Sequence, residues 1–334
     1  MSWVQNTPAA APESGSTKEQ ERCALCGSLD FIEKFATTDR LYATTTKRFA
    51  IRQCVKCGLM RLSPQPRPDE FAAYYPRKYW FDPQRDAPSR LEEMYRRLVL
   101  RDHLWFVARA LLHTGVSGPV LDVGCGGGLL IGMLRERGVC AIGLDLSPDA
   151  ARLARQRHSV DAVAGDLPLS PFAPQSFAAV TMFHVLEHVR GPLVYLREAG
   201  RLLKPDGRLI VQVPNAASWQ FALLGRAWNG VDAPRHLHLF RDLDVERMLL
   251  SSGFEVVRRK YFSLRDNPAG LATSLAPSLD PMARGIQARK EGSAERLLKD
   301  ALYFSMVFVS LPFTISEAAF RAGSTVMIEA QQRT

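Results

Sequence analysis

The sequence predicts a doubly wound α/β fold that carries a small metal-binding module at its N-terminal end. Three observations lead there. Strand-like and helix-like runs alternate from residue 119 onward. A glycine-rich loop stands between the first of those strands and the first of those helices. Upstream, two CxxC pairs are separated by 27 residues. The chain has 334 residues, about two domains on a length prior. With 46% hydrophobic and 23% charged residues, collagen-like, wholly disordered and disulfide-scaffold classes are excluded. The net charge of +9 permits an anionic partner. No block of five like charges and no dense basic-aromatic strip occurs, so no nucleic-acid partner is expected.

Residues 1–20 are rich in Ala, Pro, Ser, Glu and Gln and read as a disordered tail. They lack the apolar stretch of a secretory signal, which points to a cytoplasmic protein. The metal module follows over 21–62. Cys23 and Cys26 form one knuckle, Cys54 and Cys57 the other, and Gly27 and Gly58 follow them. Each knuckle offers two thiolates from one tight turn, which suits tetrahedral Zn²⁺ in a closed, structural site. The gap between the knuckles suits a hairpin. Cys125 and Cys140 sit among apolar residues and glycines and read as buried thiols. Residues 63–115 read as a linker and helical lid. The linker, 63–68, is Pro-rich. Tyr74, Tyr75, Tyr79, Trp80 and Phe81 then serve either as inter-module packing or as a lid. A helix is expected over 90–113, its apolar stripe formed by Leu91, Met94, Leu98, Trp105, Ala108 and Leu112.

Residues 116–334 then read as one ligand-binding domain. Seven strands are expected, at 119–123, 140–145, 160–164, 177–183, 208–213, 254–262 and 324–329. Helices are expected at 129–137, 148–158, 192–203 and 243–252. Ser147 and Pro148 give the second of these an N-cap and a first-turn proline. Residues 204–207, Lys-Pro-Asp-Gly, end the third.

The loop after the first strand reads Gly124-Cys-Gly126-Gly-Gly128. Its glycines let a ligand approach the backbone, and the helix start offers free N–H groups. Asp145 ends the second strand, where a carboxylate can accept both ribose hydroxyls. A dinucleotide is one reading, and three features argue against it. The sixth position of the dinucleotide pattern is Leu129, not glycine. Asp122 would repel a pyrophosphate but suits a cationic amino-acid group. Asp166 follows the third strand and can receive an adenine amino group. The implied ligand is an adenosine with a positively charged tail.

These motifs resemble those of class I S-adenosylmethionine-dependent methyltransferases. Residues 120–128 match the family's first motif, Asp145 its ribose-binding acid, and Gly165-Asp166 its adenine-side motif. The segment His184-Val-Leu-Glu-His-Val189 resembles the segment after the fourth strand, and 203–210 the start of the fifth. The resemblance covers about 118–262 and implies a Rossmann-like seven-stranded sheet. It also implies S-adenosylmethionine held by Asp122, Gly124, Gly126, Gly128, Asp145, Leu146, Asp166, Leu167, Phe183 and His184. The two knuckles, the Pro-rich stretch and the Tyr74-Tyr75 and Tyr79-Trp80 pairs resemble bacterial methyltransferases with an N-terminal zinc-binding module. That group implies sugar, polysaccharide, natural-product or lipid acceptors. His184, Glu187 and His188 also fit the inverted zinc-protease pattern HxxEH, which requires an unrelated fold.

A sulfonium methyl carries its own electrophilicity, so the protein supplies position and a base. Histidine suits an acceptor that must lose a proton near neutral pH. His188 and His236 are the candidate bases. Trp228, Asp232, Arg235 and His238 are the candidate acceptor contacts, with Arg235 either a clamp for an anionic acceptor group or a structural ion pair. About 60 residues separate the sixth and seventh strands, and 263–321 read as a helical, apolar insertion. Its run 301–315 follows Arg284, Arg289, Lys290, Arg296 and Lys299. Two readings stand: an interfacial segment on the inner membrane face, or packing on the core or a second subunit. The uncharged stretch 301–316, 16 residues with Pro312 inside, is too short to span. The expected activity is methyl transfer from S-adenosylmethionine to a small-molecule, glycan or natural-product acceptor. The alternatives are a lipid or quinone acceptor at the membrane surface, and a non-catalytic zinc scaffold that still binds cofactor.

Overall fold

The structure is a computed structural model that describes residues 22–75, 90–287 and 291–333. The expected tail, Tyr79, Trp80, Phe81, Arg289 and Lys290 lie outside the described residues, as does the side chain of Leu91. Three short strands come first: β1 (Phe31–Thr38), β2 (Arg48–Cys54) and β3 (Met60–Ser63). The long helix α1 (Arg90–Thr114) follows. The alternating region then runs β4 (Val120–Val123), α2 (Leu129–Arg135), β5 (Ala141–Asp145), α3 (Pro148–His158), β6 (Asp161–Ala164) and β7 (Phe177–Phe183). It continues through α4 (Pro192–Leu202), β8 (Leu203–Pro214), α5 (Trp219–Leu224), β9 (His238–Leu239), α6 (Asp242–Ser251) and β10 (Phe254–Lys260). Helices α7 (Asn267–Leu275), α8 (Pro281–Ile286) and α9 (Ser293–Ala319) lead to β11 (Thr325–Gln332).

The expected Rossmann-like sheet is present. Seven strands lie in the order β10-β11-β8-β7-β4-β5-β6. The pairs from β8 to β6 are parallel, and β11 runs antiparallel to both β10 and β8. The parallel strands are apolar because helices cover both faces; Val120 to Val123 and Ala178 to Met182 are fully buried. Ser147 caps α3 as expected, its side chain accepting the Ala150 N–H. β8 absorbs the expected turn at 204–207, because Leu203 already pairs with Phe177 across a bulge.

The N-terminal strands are sewn into the rest of the molecule. The order β1-β2-β3-β9 makes a second sheet whose last strand comes from the connection after β8. The β1–β2 hairpin lies between the two knuckles. Cys23, Cys54 and Leu59 share one buried cluster with Phe240 and Leu249. The ion pair of Arg235 with Asp39 crosses the same seam at 2.6 Å.

Three expectations are corrected here. Met94, Leu98, Trp105 and Leu112 of the expected α1 stripe face solvent; Val99, His103, Leu104, Val107 and Ala110 face the core instead. The two stripes have the same helical period, so periodicity alone chose the wrong face. Cys140 is exposed and Cys125 only half-buried, because both lie in loops rather than under a helix. The apolar run 301–315 does not stand alone. It is the middle of the 27-residue α9, which continues through Pro312 and is long and apolar enough to cross a membrane by length and composition. Arg284 and Lys299, two of the basic residues before that run, are held by Glu291, with Asp300 and Glu295 as further partners.

Candidate active site at the carboxyl edge of the central strands

The loop after β4 turns through Gly124, Gly126 and Gly128, all at positive φ. A Cβ on Gly128 would lie 2.7 Å from the Ala154 Cβ, so α2 and α3 could not approach as they do. At Gly126 a Cβ would meet nothing within 4 Å, which leaves the backbone open to a ligand. Asp145 fixes this loop. One carboxylate oxygen accepts the Gly126 N–H at 2.9 Å, and the other the Ser147 N–H at 2.8 Å. Burial raises its acid above the usual range.

Asp122 is buried at the end of β4 and accepts the Thr181 hydroxyl at 2.6 Å. Burial pushes its acid up to about 7, with the Asp145 charge adding to the effect. A cation placed beside it would favour the carboxylate form. Asp166 follows β6 and accepts the Tyr195 hydroxyl. Leu167 beside it is buried, whereas Leu146 is two-thirds exposed. This edge therefore joins an open glycine loop to three acids, and the set fits an adenosine with a cationic tail.

A second group follows β7. His184 stands in the left-handed region at φ 58. Its Nδ1 is 3.0 Å from Glu187 and its Nε2 3.4 Å from Asp266. Burial opposes the charged ring, but Asp266 and Glu187 outweigh it and raise the pKa to about 9. Phe183 packs against the His103 ring at 4.9 Å. Glu187 is fully buried, and its Oε2 has no hydrogen-bond partner among the described residues. The rings of His188 and His236 meet at 4.7 Å. His236 Nδ1 lies 2.8 Å from the Gly230 carbonyl, so that nitrogen carries the proton and Nε2 keeps its lone pair. His188 Nδ1 lies 2.9 Å from the Tyr75 hydroxyl and 3.2 Å from the Arg235 carbonyl. Burial, helped by His236, lowers the His188 pKa to about 4.

Two sets of ligand atoms cluster within 4.8 Å: Cys23, Cys26, Cys54 and Cys57, and Glu187, His188 and His236. In the first, Sγ contacts of 3.4 and 3.5 Å link Cys23 to Cys57 and Cys26 to Cys54. That crossing of the two knuckles is what one tetrahedral ion between them requires.

The structure does not bring the expected acceptor contacts to an opening. Arg235 is completely buried, its guanidinium spent on Asp39 and Asp232 and stacked 4.4 Å from the Tyr42 ring. An anion clamp needs a free fork, so the ion-pair alternative is the one the geometry supports. Trp228 packs against Phe221 inside a buried cluster, and His238 is buried on β9. Removing one partner of a buried pair strands the other's charge. Arg235→Ala is therefore expected to destabilise the fold by about 3–5 kcal/mol in urea titration; a clamp role would instead move only acceptor affinity. Asp266 and Gln212 are site neighbours that sequence reasoning missed. Asp266 accepts from Gln212 and Ser263, each at 2.6 Å. Its only signal was an acid immediately before Asn267-Pro268, a helix start just past the sixth strand.

A family model described as a methyltransferase domain matches residues 91–259, half of the chain. A protein named ubiquinone biosynthesis O-methyltransferase from Xanthomonas campestris pv. campestris is 32% identical over 189 residues, 52% of this chain and 72% of that protein. The chain belongs to the S-adenosylmethionine-dependent methyltransferases. The protein of the same name from Xanthomonas axonopodis pv. citri is 31% identical to this methyltransferase over the same shares. A solved SAM-dependent methyltransferase from Archaeoglobus fulgidus superposes on it with a TM-score of 0.45 at 16% identity, over 72% of this chain and 98% of that one.

Proposed function

We propose that this methyltransferase acts on a small-molecule acceptor with an ionisable hydroxyl, and that His236 takes the acceptor's proton. The observation that carries this reading is the Glu187–His188–His236 cluster, in which Glu187 and His188 follow β7, the neighbour of β4, and His236 comes from the connection that leads to β9. S-adenosylmethionine, when bound, supplies an electrophilic methyl on a sulfonium. Asp145 holds the ribose hydroxyls, Asp166 faces the adenine side, and Asp122 balances the positive tail. Leu146, Leu167, Phe183 and His184 line the same edge. His236 offers Nε2 to the acceptor O–H while the Gly230 carbonyl holds the opposite N–H. Glu187 then stabilises the imidazolium that forms. His188 and the Tyr75 hydroxyl orient the acceptor beside it.

A second reading, a lipid or quinone acceptor, is favoured by the name of the relatives and by the outward apolar face of α9. Purified enzyme, methyl-labelled S-adenosylmethionine and host extract separate the two. Label in the aqueous small-molecule fraction supports the first reading, and label in the organic phase supports the second. Label only in polymer contradicts both and points to a glycan.

The four cysteines are proposed to hold structural Zn²⁺. Burial opposes thiolate formation at Cys23, Cys54 and Cys57 and raises the first and last; at Cys54 the Cys57 N–H, the Cys26 thiol and the Lys56 N–H outweigh it and bring the pKa to about 7. Because β3 pairs with β9, metal removal is expected to loosen the segment that carries His236 as well as β1–β3. Elemental analysis should find one zinc per chain. Chelation should cost methyl transfer more than cofactor affinity, and metal-free protein of full activity contradicts the assignment.

A further inference from the structure

Helix α9 is amphipathic in the reverse of the usual sense. Its inward face is polar: Tyr303, Ser310, Thr314 and Glu317 are buried. Each makes a hydrogen bond there, although Glu317 Oε2 has no partner among the described residues. Tyr303 bonds Thr273, Ser310 bonds the Pro268 carbonyl, and Glu317 accepts from Gln220 at 2.7 Å. Its outward face is apolar: Leu298, Leu302, Phe308, Val309 and Ile315 are exposed, Phe308 at 73% and Val309 at 75%. A helix that packs only on a soluble core places these two faces the other way round.

The same inversion occurs on α1. Met94, Leu98, Trp105 and Leu112 recur at spacings of four and seven and face outward, Trp105 at 66% exposure. The two helices meet where the Tyr95 and Phe304 rings pack edge to face at 5.6 Å. Their apolar stripes thus border one another. Surfaces of this kind mark interaction sites rather than scattered exposed residues. The charge around the α1 stripe indicates what covers it. Arg101 and Arg109 flank Trp105 on the same helix face, both exposed and neither bonded to a described residue. They line a groove of about 640 Å³ between α1 and the edge strand β10, whose far wall carries Arg258, paired with Glu329, and Lys260, paired with Asp102 of the same groove. The chain as a whole carries +9.

We propose that the joint face of α1 and α9 docks on an anionic lipid bilayer. Trp105, Phe308 and Val309 enter the headgroup boundary, and Arg101 and Arg109 meet lipid phosphates. The inference deepens the lipid or quinone reading by naming the surface that would deliver such an acceptor. Its readout is binding rather than turnover, so its failure is distinguishable from failure of that reading.

The test is co-flotation of the full chain with vesicles of phosphatidylcholine, alone or with about one third phosphatidylglycerol. Binding is expected to the anionic vesicles, to weaken as salt rises, and to be poor on phosphatidylcholine alone. Arg101→Ala and Arg109→Ala should each weaken it by about fivefold. Phe308→Ser with Val309→Ser should weaken it by about tenfold or more. All four positions are exposed, and unchanged S-adenosylmethionine affinity verifies that each variant is folded. A chain that stays with neither vesicle overturns the proposal. So does a concentration-dependent dimer, seen by light scattering, that the serine variants dissociate.

Discussion

Asp145→Ala should weaken S-adenosylmethionine binding by about 10²–10³-fold, roughly 3–4 kcal/mol of lost charge-assisted hydrogen bonding. The carboxylate stands at the end of β5 and already organises the glycine loop through the Gly126 and Ser147 N–H groups. Its removal takes away both the proposed acceptor for the ribose hydroxyls and the brace that shapes the loop. Isothermal titration measures the change. Gly126→Ala separates the two contributions. Its Cβ has space, but its φ of 53 strains an L residue, so the brace is disturbed while the carboxylate stays. Unchanged affinity in Asp145→Ala would remove the cofactor assignment from this edge of the sheet.

His236→Ala should lower kcat by about 10²–10⁴-fold and leave cofactor affinity intact, the range expected when a general base is lost. The ring is held by the Gly230 carbonyl and faces His188. His188→Ala should cost less in kcat and more in KM, since its proposed part is orientation. Its burial-lowered pKa of about 4 keeps it neutral at working pH, so between about pH 5 and 8 it adds no ionisation of its own to the kcat profile. Equal kcat losses with no change in KM would instead make the two histidines one unit.

Much of this was legible because certain residues leave few choices. Ser147-Pro148 could only begin a helix, and the glycines at 124, 126 and 128 after a strand could only make a tight loop. The acids at 122, 145 and 166 stand at or just past strand ends, so the parallel order of β4, β5 and β6 brings them to one edge without further information. Other features depend on tertiary partners that no local pattern carries. β9 is two residues long and exists because β3 offers it an edge. Arg235 looks like an anion ligand until Asp39, 196 positions away, is seen to occupy it. Asp266 reaches His184 only because β10 lies at the far side of the sheet and its following loop folds back. The inverted face of α1 misled for a physical reason: apolar periodicity locates a face that avoids water, and does not say which neighbour spares it from water.

The most direct test is the formation of S-adenosylhomocysteine by the purified full chain, with bound S-adenosylmethionine measured in the same samples and host extract supplying acceptors. Catalysis at this site predicts extract-dependent product from the native protein, and little from His236→Ala at equal cofactor occupancy. Full occupancy with no product above that of extract alone would contradict it, and would make the chain a scaffold that binds the cofactor without turning it over.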